Sequence, residues 1–251
     1  MVRIDSGDGP SPGIPHFSPR PGGVTKPGEH DSRLQYRYLL GVDVAGYSRL
    51  SALDQARTQR DLDWAISLAA ERTGMDREAW LRQVAGDGEL AVLPAGTDGL
   101  RLVVSFPREL GRALDRVNRT RLNGQRIRVR LTLHHGTLMA GPFGPVGQAP
   151  IVVARLLEAQ QLRDALAADG TDLVLMVSES IYVDVVQTRL EGLDPDRFEP
   201  ITVEAKELTY RGYLYRGLLY TPTWSSPMRR RWPRSGPLSR RPSSPSLRRH
   251  P

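Results

Sequence analysis

Residues 127 to 135, IRVRLTLHH, alternate strictly, with Ile127, Val129, Leu131 and Leu133 on one side. Successive side chains of a strand leave opposite faces of a sheet, so this segment is a half-buried strand that needs an apolar layer over it. The neighbouring segments can supply that layer. YRYLLGVDV (36 to 44) is an apolar, strand-like run. SALDQARTQRDLDWAISLAAERTG reads as a helix, with Leu62, Ala65, Ile66 and Ala69 on one face and Gly74 placed to end it. WLRQVAG and GELAVLP flank Asp87-Gly88, a dipeptide that favours a tight hairpin turn. From about Asp98 to Arg121 the pattern is helical, with Leu110, Leu114 and Val117 on one side, and Pro107 is expected to split it into two pieces.

A Gly/Pro-rich loop, 141 to 150, leads into a single predicted helix, IVVARLLEAQQLRDALAA. DLVLMVS is a further strand, with Ser178 a candidate N-cap for a short helix through Val186. Two final strands, about 198 to 206 and 211 to 218, are placed to pair as a hairpin. Helices interleaved with a largely antiparallel sheet predict an α+β fold with one open sheet face or edge.

This body runs from 33 to 220, between two segments of different composition. Residues 1 to 32 are rich in Gly, Pro, Ser and Asp and read as disordered, as does the Arg/Pro/Ser-rich tail, 221 to 251. The formal charge of +7 divides unevenly: the tail holds eight arginines and no acid, whereas the body holds 24 basic and 24 acidic residues. The body therefore gives no electrostatic reason to expect nucleic acid, and only the tail offers a basic surface for it or for an acidic membrane. Absence of cysteine excludes disulfides, thiolate metal sites and cysteine nucleophiles. No apolar run approaches the roughly 20 residues that cross a bilayer, and the N-terminus lacks a secretory pattern, so a cytoplasmic chain is expected.

Two aspartates stand out by position. Asp43 ends an apolar strand in GVDVAGYSRL, and Asp87 sits at the hairpin tip in QVAGDGEL. A carboxylate at the end of an apolar run is costly to desolvate unless something pairs with it. If the first strand neighbours the hairpin, both carboxylates reach one edge of the sheet. Hard oxygen ligands with room for water and phosphate suit Mg²⁺ or Mn²⁺. The plainer alternatives are that Asp43 turns the chain and that Asp87 serves a type I′ turn.

In these segments the sequence resembles the class III adenylyl and guanylyl cyclases. Asp43-Val44-Ala45-Gly46-Tyr47-Ser48 matches their first motif, and Gly86-Asp87 their second. LTLHHG, GPFGPVGQ and VVARLLEA match the later strand, Gly-rich loop and helix through Gly136, Gly147 and Arg155, and Lys206 in VEAKEL falls where the family carries a lysine on a late strand. The resemblance covers about 185 residues and looks most like a compact, stand-alone actinobacterial-type branch.

The resemblance implies a ferredoxin-like, palm-type sheet. It also implies conversion of a nucleoside triphosphate to a 3′,5′-cyclic nucleotide and pyrophosphate. Asp43, Asp87 and the Val44 carbonyl would hold two Mg²⁺ or Mn²⁺ ions, Arg155 would stabilise charge on the α-phosphate, and Lys206 would meet the terminal phosphates. Metal carboxylates and arginine come from opposite subunits in the family, which implies a homodimer.

Three positions depart from the family pattern. Gln83 stands where lysine or glutamate reads the base, and Gly144 falls at its usual acidic or cysteine partner. Ile151 replaces the asparagine that orients the ribose, with Gln148 a candidate substitute. These departures keep a second reading open, a silent cyclase-homology domain that binds nucleotide or dimerises. Other readings are a solvated or ion-paired Arg155 and an ordinary strand-edge Lys206. His134 and His135 alternate across a strand, which predicts one facing the core and one solvated. Trp64 and Trp80 are expected to pack.

Overall fold

The computed structural model describes residues 33–121, 125–168, 170–205, 208–217 and 219–220. The two terminal segments and Lys206 lie outside the described residues. Eight strands among them are Gln35–Val44 (β1), Leu81–Ala85 (β2), Gly88–Val92 (β3), Val129–Gly141 (β4), Gly144–Val146 (β5), Leu173–Ser178 (β6), Phe198–Ala205 (β7) and Leu208–Tyr215 (β8). The helices that cover them are Ala52–Arg72 (α1), Phe106–Thr120 (α2), Gln148–Leu157 (α3), Gln160–Ala168 (α4) and Glu179–Asp184 (α5).

The sheet runs β2-β3-β1-β4-β6-β8-β7, with β5 paired to β4 off that path. Its neighbours are antiparallel except β4 and β6, which pair in parallel, so the sheet is mixed. Helices pack on both faces. Leu40, Val42, Val129, Leu131, Leu133 and Leu175 meet α1, α2 and α5 in one large core. On the other face Val174, Met176 and Leu214 meet Leu156, Leu162 and Leu166 of α3 and α4. Gly41 lets α3 come close: a Cβ there would lie 2.6 Å from Val153 Cγ1. The most open part of the sheet is its β2 edge, where every residue is exposed.

Three local expectations change. Pro107 does not split its helix. The chain stays helical through a π-turn at Arg101–Ser105, whose widened ladder tolerates the missing N–H, with Pro107 in the first turn of α2. The helix predicted over 151 to 168 is two, α3 and α4, broken at 158–159. Leu156, Ala159, Leu162 and Ala165 are all buried. At three-residue spacing an unbroken α-helix would rotate this stripe by about 60° per step, and the break restores its phase. The hairpin turn is Gly86-Asp87 rather than Asp87-Gly88, because Ala85 pairs with Gly88. Gly88 is a strand residue pressed against β1, where a Cβ would lie 1.8 Å from Val42 O.

Candidate active site

Asp43 and Asp87 are brought together by strand pairing. Asp43 stands opposite Gly88 in the β1–β3 ladder, one residue beyond the turn that holds Asp87. The Val44 N–H then donates to the Asp87 carbonyl at 2.8 Å, tying the β1 end to the hairpin tip. Neither Gly86 nor Asp87 has a positive φ. A type I′ turn needs φ > 0 at both central residues, so the turn that holds Asp87 is not of type I′. Gly46 does adopt φ 74°, which lets the chain turn out of β1 immediately after the motif.

The turn is held from below by side chains that the sequence did not single out. Gln59 Nε2 on α1 donates to the Gly86 carbonyl at 2.8 Å and to the Tyr47 hydroxyl at 2.7 Å. On β3, one residue beyond Gly88, buried Glu89 is bonded through both oxygens by Arg77, at 2.8 and 3.2 Å, and Arg77 also bonds Asp63 at 2.8 Å. Between these anchors a cleft of about 210 Å³ separates α1 from the hairpin, lined by Leu62, Ile66 and Val84 among others. The hairpin that carries Asp87 thus stands off α1, fixed at its tip by Gln59 and just behind the tip by Arg77.

The largest addition to the site is Arg130. It faces Asp43 across the β1–β4 ladder and grips both carboxylate oxygens, Nε to Oδ1 at 2.6 Å and Nη2 to Oδ2 at 2.7 Å. The side chains are only 12% and 15% exposed, so the pair is largely desolvated. Burial raises the Asp43 pKa above the ordinary carboxylate value. Hydrogen bonding and charge from Arg130 pull it back, Asp87 pushes it up, and Arg163 on α4 lowers it. Asp87 and Arg163 are therefore electrostatic neighbours of Asp43. Arg130 lies on the polar side of the alternating strand, and its link to Asp43 depends on register, which the pattern alone does not give.

Gln83 and Gly144 also meet. Gln83 projects from β2 toward the β4–β5 hairpin, where a Cβ on Gly144 would lie 3.4 Å from Gln83 Oε1. Gly144 has φ 123°, a conformation that L residues rarely adopt, so its lack of a side chain also has a backbone cause. Gln148, Ile151 and Arg155 follow at helical spacing along the outward stripe of α3. Gln148 and Ile151 are exposed, and Arg155 is half-buried. Within this chain the Arg155 guanidinium pairs with Glu158 at 3.0 Å. No contact joins it to Asp43.

The two histidines are both buried, against the expectation of one solvated ring. His134 lies on the α3/α4 face with Nδ1 2.8 Å from Ser178 Oγ and 3.2 Å from Ser180 Oγ. Desolvation, aided by the charge of His135, lowers its pKa from 6.5 to about 4. His135 lies on the opposite face between the Tyr36 and Tyr38 rings, 3.1 Å from Asp184. Trp80 packs against Phe106, whereas Trp64 is 42% exposed and does not join the core.

Asp43 and Asp87 suit a divalent cation as part of a site. Asp87 is close enough for its charge to act on the Asp43 carboxylate, but the described residues contain no cluster of three or more His, Cys, Asp or Glu that would enclose a metal. That donor set fits Mg²⁺ or Mn²⁺ bound with water and substrate phosphates filling the other positions. Asp43, Asp87 and the Val44 carbonyl would hold it.

The mixed sheet, its helices and the placement of the β2–β3 hairpin have the fold of class III nucleotide cyclase catalytic domains. The guanylyl cyclase Cya2 superposes with a TM-score of 0.53 at 17% identity, over 74% of this chain and 94% of that one. An adenylate/guanylate cyclase/hydrolase from Silicibacter pomeroyi superposes with a TM-score of 0.51 at 21% identity, over 73% of this chain and 98% of that one. No family model matches the sequence, and no curated protein matches it. No helix among the described residues is long and apolar enough to cross a membrane.

Proposed function

We propose that the protein is a nucleotidyl cyclase that converts a nucleoside triphosphate to a 3′,5′-cyclic nucleotide and pyrophosphate in a homodimer. The observation that carries this reading is the convergence of Asp43 and Asp87, distant in sequence, at the joined ends of β1 and the β2–β3 hairpin. Two divalent cations bound there would supply Lewis-acid stabilisation of the attacking and leaving oxygens.

The residues of the chain would do the remaining work. The substrate 3′-hydroxyl would give up its proton to solvent and attack its own α-phosphorus, the bond to the bridging oxygen would break, and pyrophosphate would leave. Arg155 would meet the charge gathering on the α-phosphate as a planar guanidinium donor. Lys206 would neutralise the terminal phosphates as a point charge. The Gln83 amide, able to donate or accept, would meet the base beside Gly144 without excluding either purine.

Within one chain Arg155 is paired with Glu158 rather than with Asp43, and its stripe on α3 faces outward. A second subunit placing its Arg155 against the first subunit's carboxylates would complete the site. Exposed Leu81, Phe143 and Ile151, on the elements that carry Gln83, Gly144 and Arg155, supply apolar area for that pairing. The branch, compact and actinobacterial in type, rests on the sequence motifs alone.

The alternative reading, a silent cyclase-homology domain that binds nucleotide or dimerises, is favoured by exposed Ile151 where a ribose-orienting amide belongs. One experiment separates the two. The purified protein is mixed with ATP, GTP, CTP or UTP in Mn²⁺ and then Mg²⁺, and products are resolved by mass. Cyclic monophosphate is expected, with a loss of at least ~10³-fold, about 4 kcal/mol of barrier, in Asp43→Ala. Nucleotide binding without turnover in every combination would establish the silent domain instead.

A further inference from the structure

We propose that Arg130 is a positioning residue that makes capture of a divalent cation by Asp43 conditional on the nucleotide. The proposal rests on the reading of Asp43 as a metal carboxylate. One guanidinium engages both Asp43 oxygens, at 2.6 and 2.7 Å, in a pair that is largely buried. The pair is electrically neutral, and Arg163 adds a second positive field at Asp43. Only Asp87 is left to attract a cation, and it is a single exposed carboxylate at a turn.

A carboxylate has about four lone-pair sites, and a bidentate guanidinium uses two. Asp43 can therefore offer its remaining lone pairs to a cation without releasing Arg130. That cation would sit against a fixed positive charge, which disfavours it strongly in a partly desolvated site. Mg²⁺ and Mn²⁺ alone would gain little there. A triphosphate brings several negative charges that outweigh Arg130, so metal and nucleotide would enter together. The device follows from register: Asp43 and Arg130 are Cα partners on adjacent strands, pointing to the same face.

The test uses the full chain and Mn²⁺, followed by electron paramagnetic resonance of the free aqua ion. Titrations are run without nucleotide and with each 3′-deoxynucleoside triphosphate, which lacks the attacking hydroxyl, and each is compared with a protein-free blank so that Mn²⁺ chelated by the triphosphate itself is subtracted. Wild type is expected to bind Mn²⁺ alone at least tenfold more weakly than with a nucleotide. Arg130→Met should bind Mn²⁺ alone at least tenfold more tightly than wild type, closing most of that gap, and Asp43→Asn should abolish the effect. Should Arg130→Met fail to fold by circular dichroism, Arg130→Gln, which keeps one donor and loses the charge, takes its place with the same expectation. A folded variant whose nucleotide-free affinity equals or falls below that of wild type overturns the proposal, leaving Arg130 as a mere brace. Mn²⁺ binding insensitive to Asp43→Asn with every nucleotide removes the metal reading itself, and the proposal with it.

Discussion

Along β4, Val129, Leu131 and Leu133 are completely buried beneath α1, α2 and α5, while Arg130, Thr132 and His134 occupy the opposite face. The second set is polar and yet also largely shielded, under α3 and α4. Apolar residues on the first face need only volume and shape from their neighbours. Each polar residue on the second face needs a specific partner: Arg130 has Asp43, and His134 has Ser178 and Ser180. Burying a polar group without such a partner costs several kcal/mol on the least forgiving scales, so this face is tolerable only because register brings the partners together. One face of a strand holds the fold, and the other holds the candidate chemistry.

The sharpest test of that division is on the apolar face. Leu131→Ala should lower unfolding free energy by about 3 kcal/mol, read from the urea midpoint, because a fully buried side chain leaves a cavity. Nucleotide-dependent Mn²⁺ binding should survive in the fraction that remains folded. Loss of binding in well-folded protein would show that the two faces are coupled.

The next effect is on the polar face and depends on pH. His134 has its pKa lowered from 6.5 to about 4, so the folded state holds the neutral ring while the unfolded chain protonates near 6.5. Its contribution is complete above about pH 6.5 and is lost as pH falls toward 4. At pH 5 that loss is about 2 kcal/mol. His134→Gln should flatten the decline by that amount when denaturant midpoints are compared at pH 7 and pH 5. Asp43, whose pKa is raised, contributes with the opposite sign in both proteins, so the difference between them isolates His134. Identical pH profiles would remove His134 from the account.

The smallest effect belongs to the exposed edge. On the proposed cyclase reading, in which Gln83 meets the base, Gln83→Ala should raise KM about tenfold at unchanged kcat, as for one lost hydrogen bond, with stability within about 0.5 kcal/mol. A fall in kcat instead would mean that Gln83 acts in the transition state rather than in base recognition.

Much of the fold was legible because its local signals are strong. The apolar face Ile127-Val129-Leu131-Leu133, the stripe Leu62-Ala65-Ile66-Ala69 and the Ser178 cap appear in the structure as the pattern predicts, but the strand expected to be half-buried is covered on both faces, since helices also shield the side that carries Thr132 and His134. The α3–α4 break was illegible because uninterrupted helix formers carry no mark of it. The continuous helix through Pro107 was missed because a π-turn is a tertiary accommodation of a local clash. At the site, Asp43 and Asp87 declare themselves by breaking an apolar run and by sitting at a hairpin tip. Gln59, Arg77, Glu89 and Arg130 do not, since nothing in a single strand or helix says which distant carboxylate or carbonyl it will meet.

The sequence by itself determined the alternation of helix and strand, which side chains face inward, and the two carboxylates placed where elements end. These follow from periodicity and from the cost of desolvating a charge, both properties of short segments. Only the tertiary structure decided that Asp43 lies near Asp87, that Arg130 pairs with Asp43, and that Arg155 lies on an outward stripe of α3 against Glu158. Strand order and register are set by the packing of the whole sheet, and a one-residue slip of β1 or β4 would have sent Asp43 and Arg130 to opposite faces.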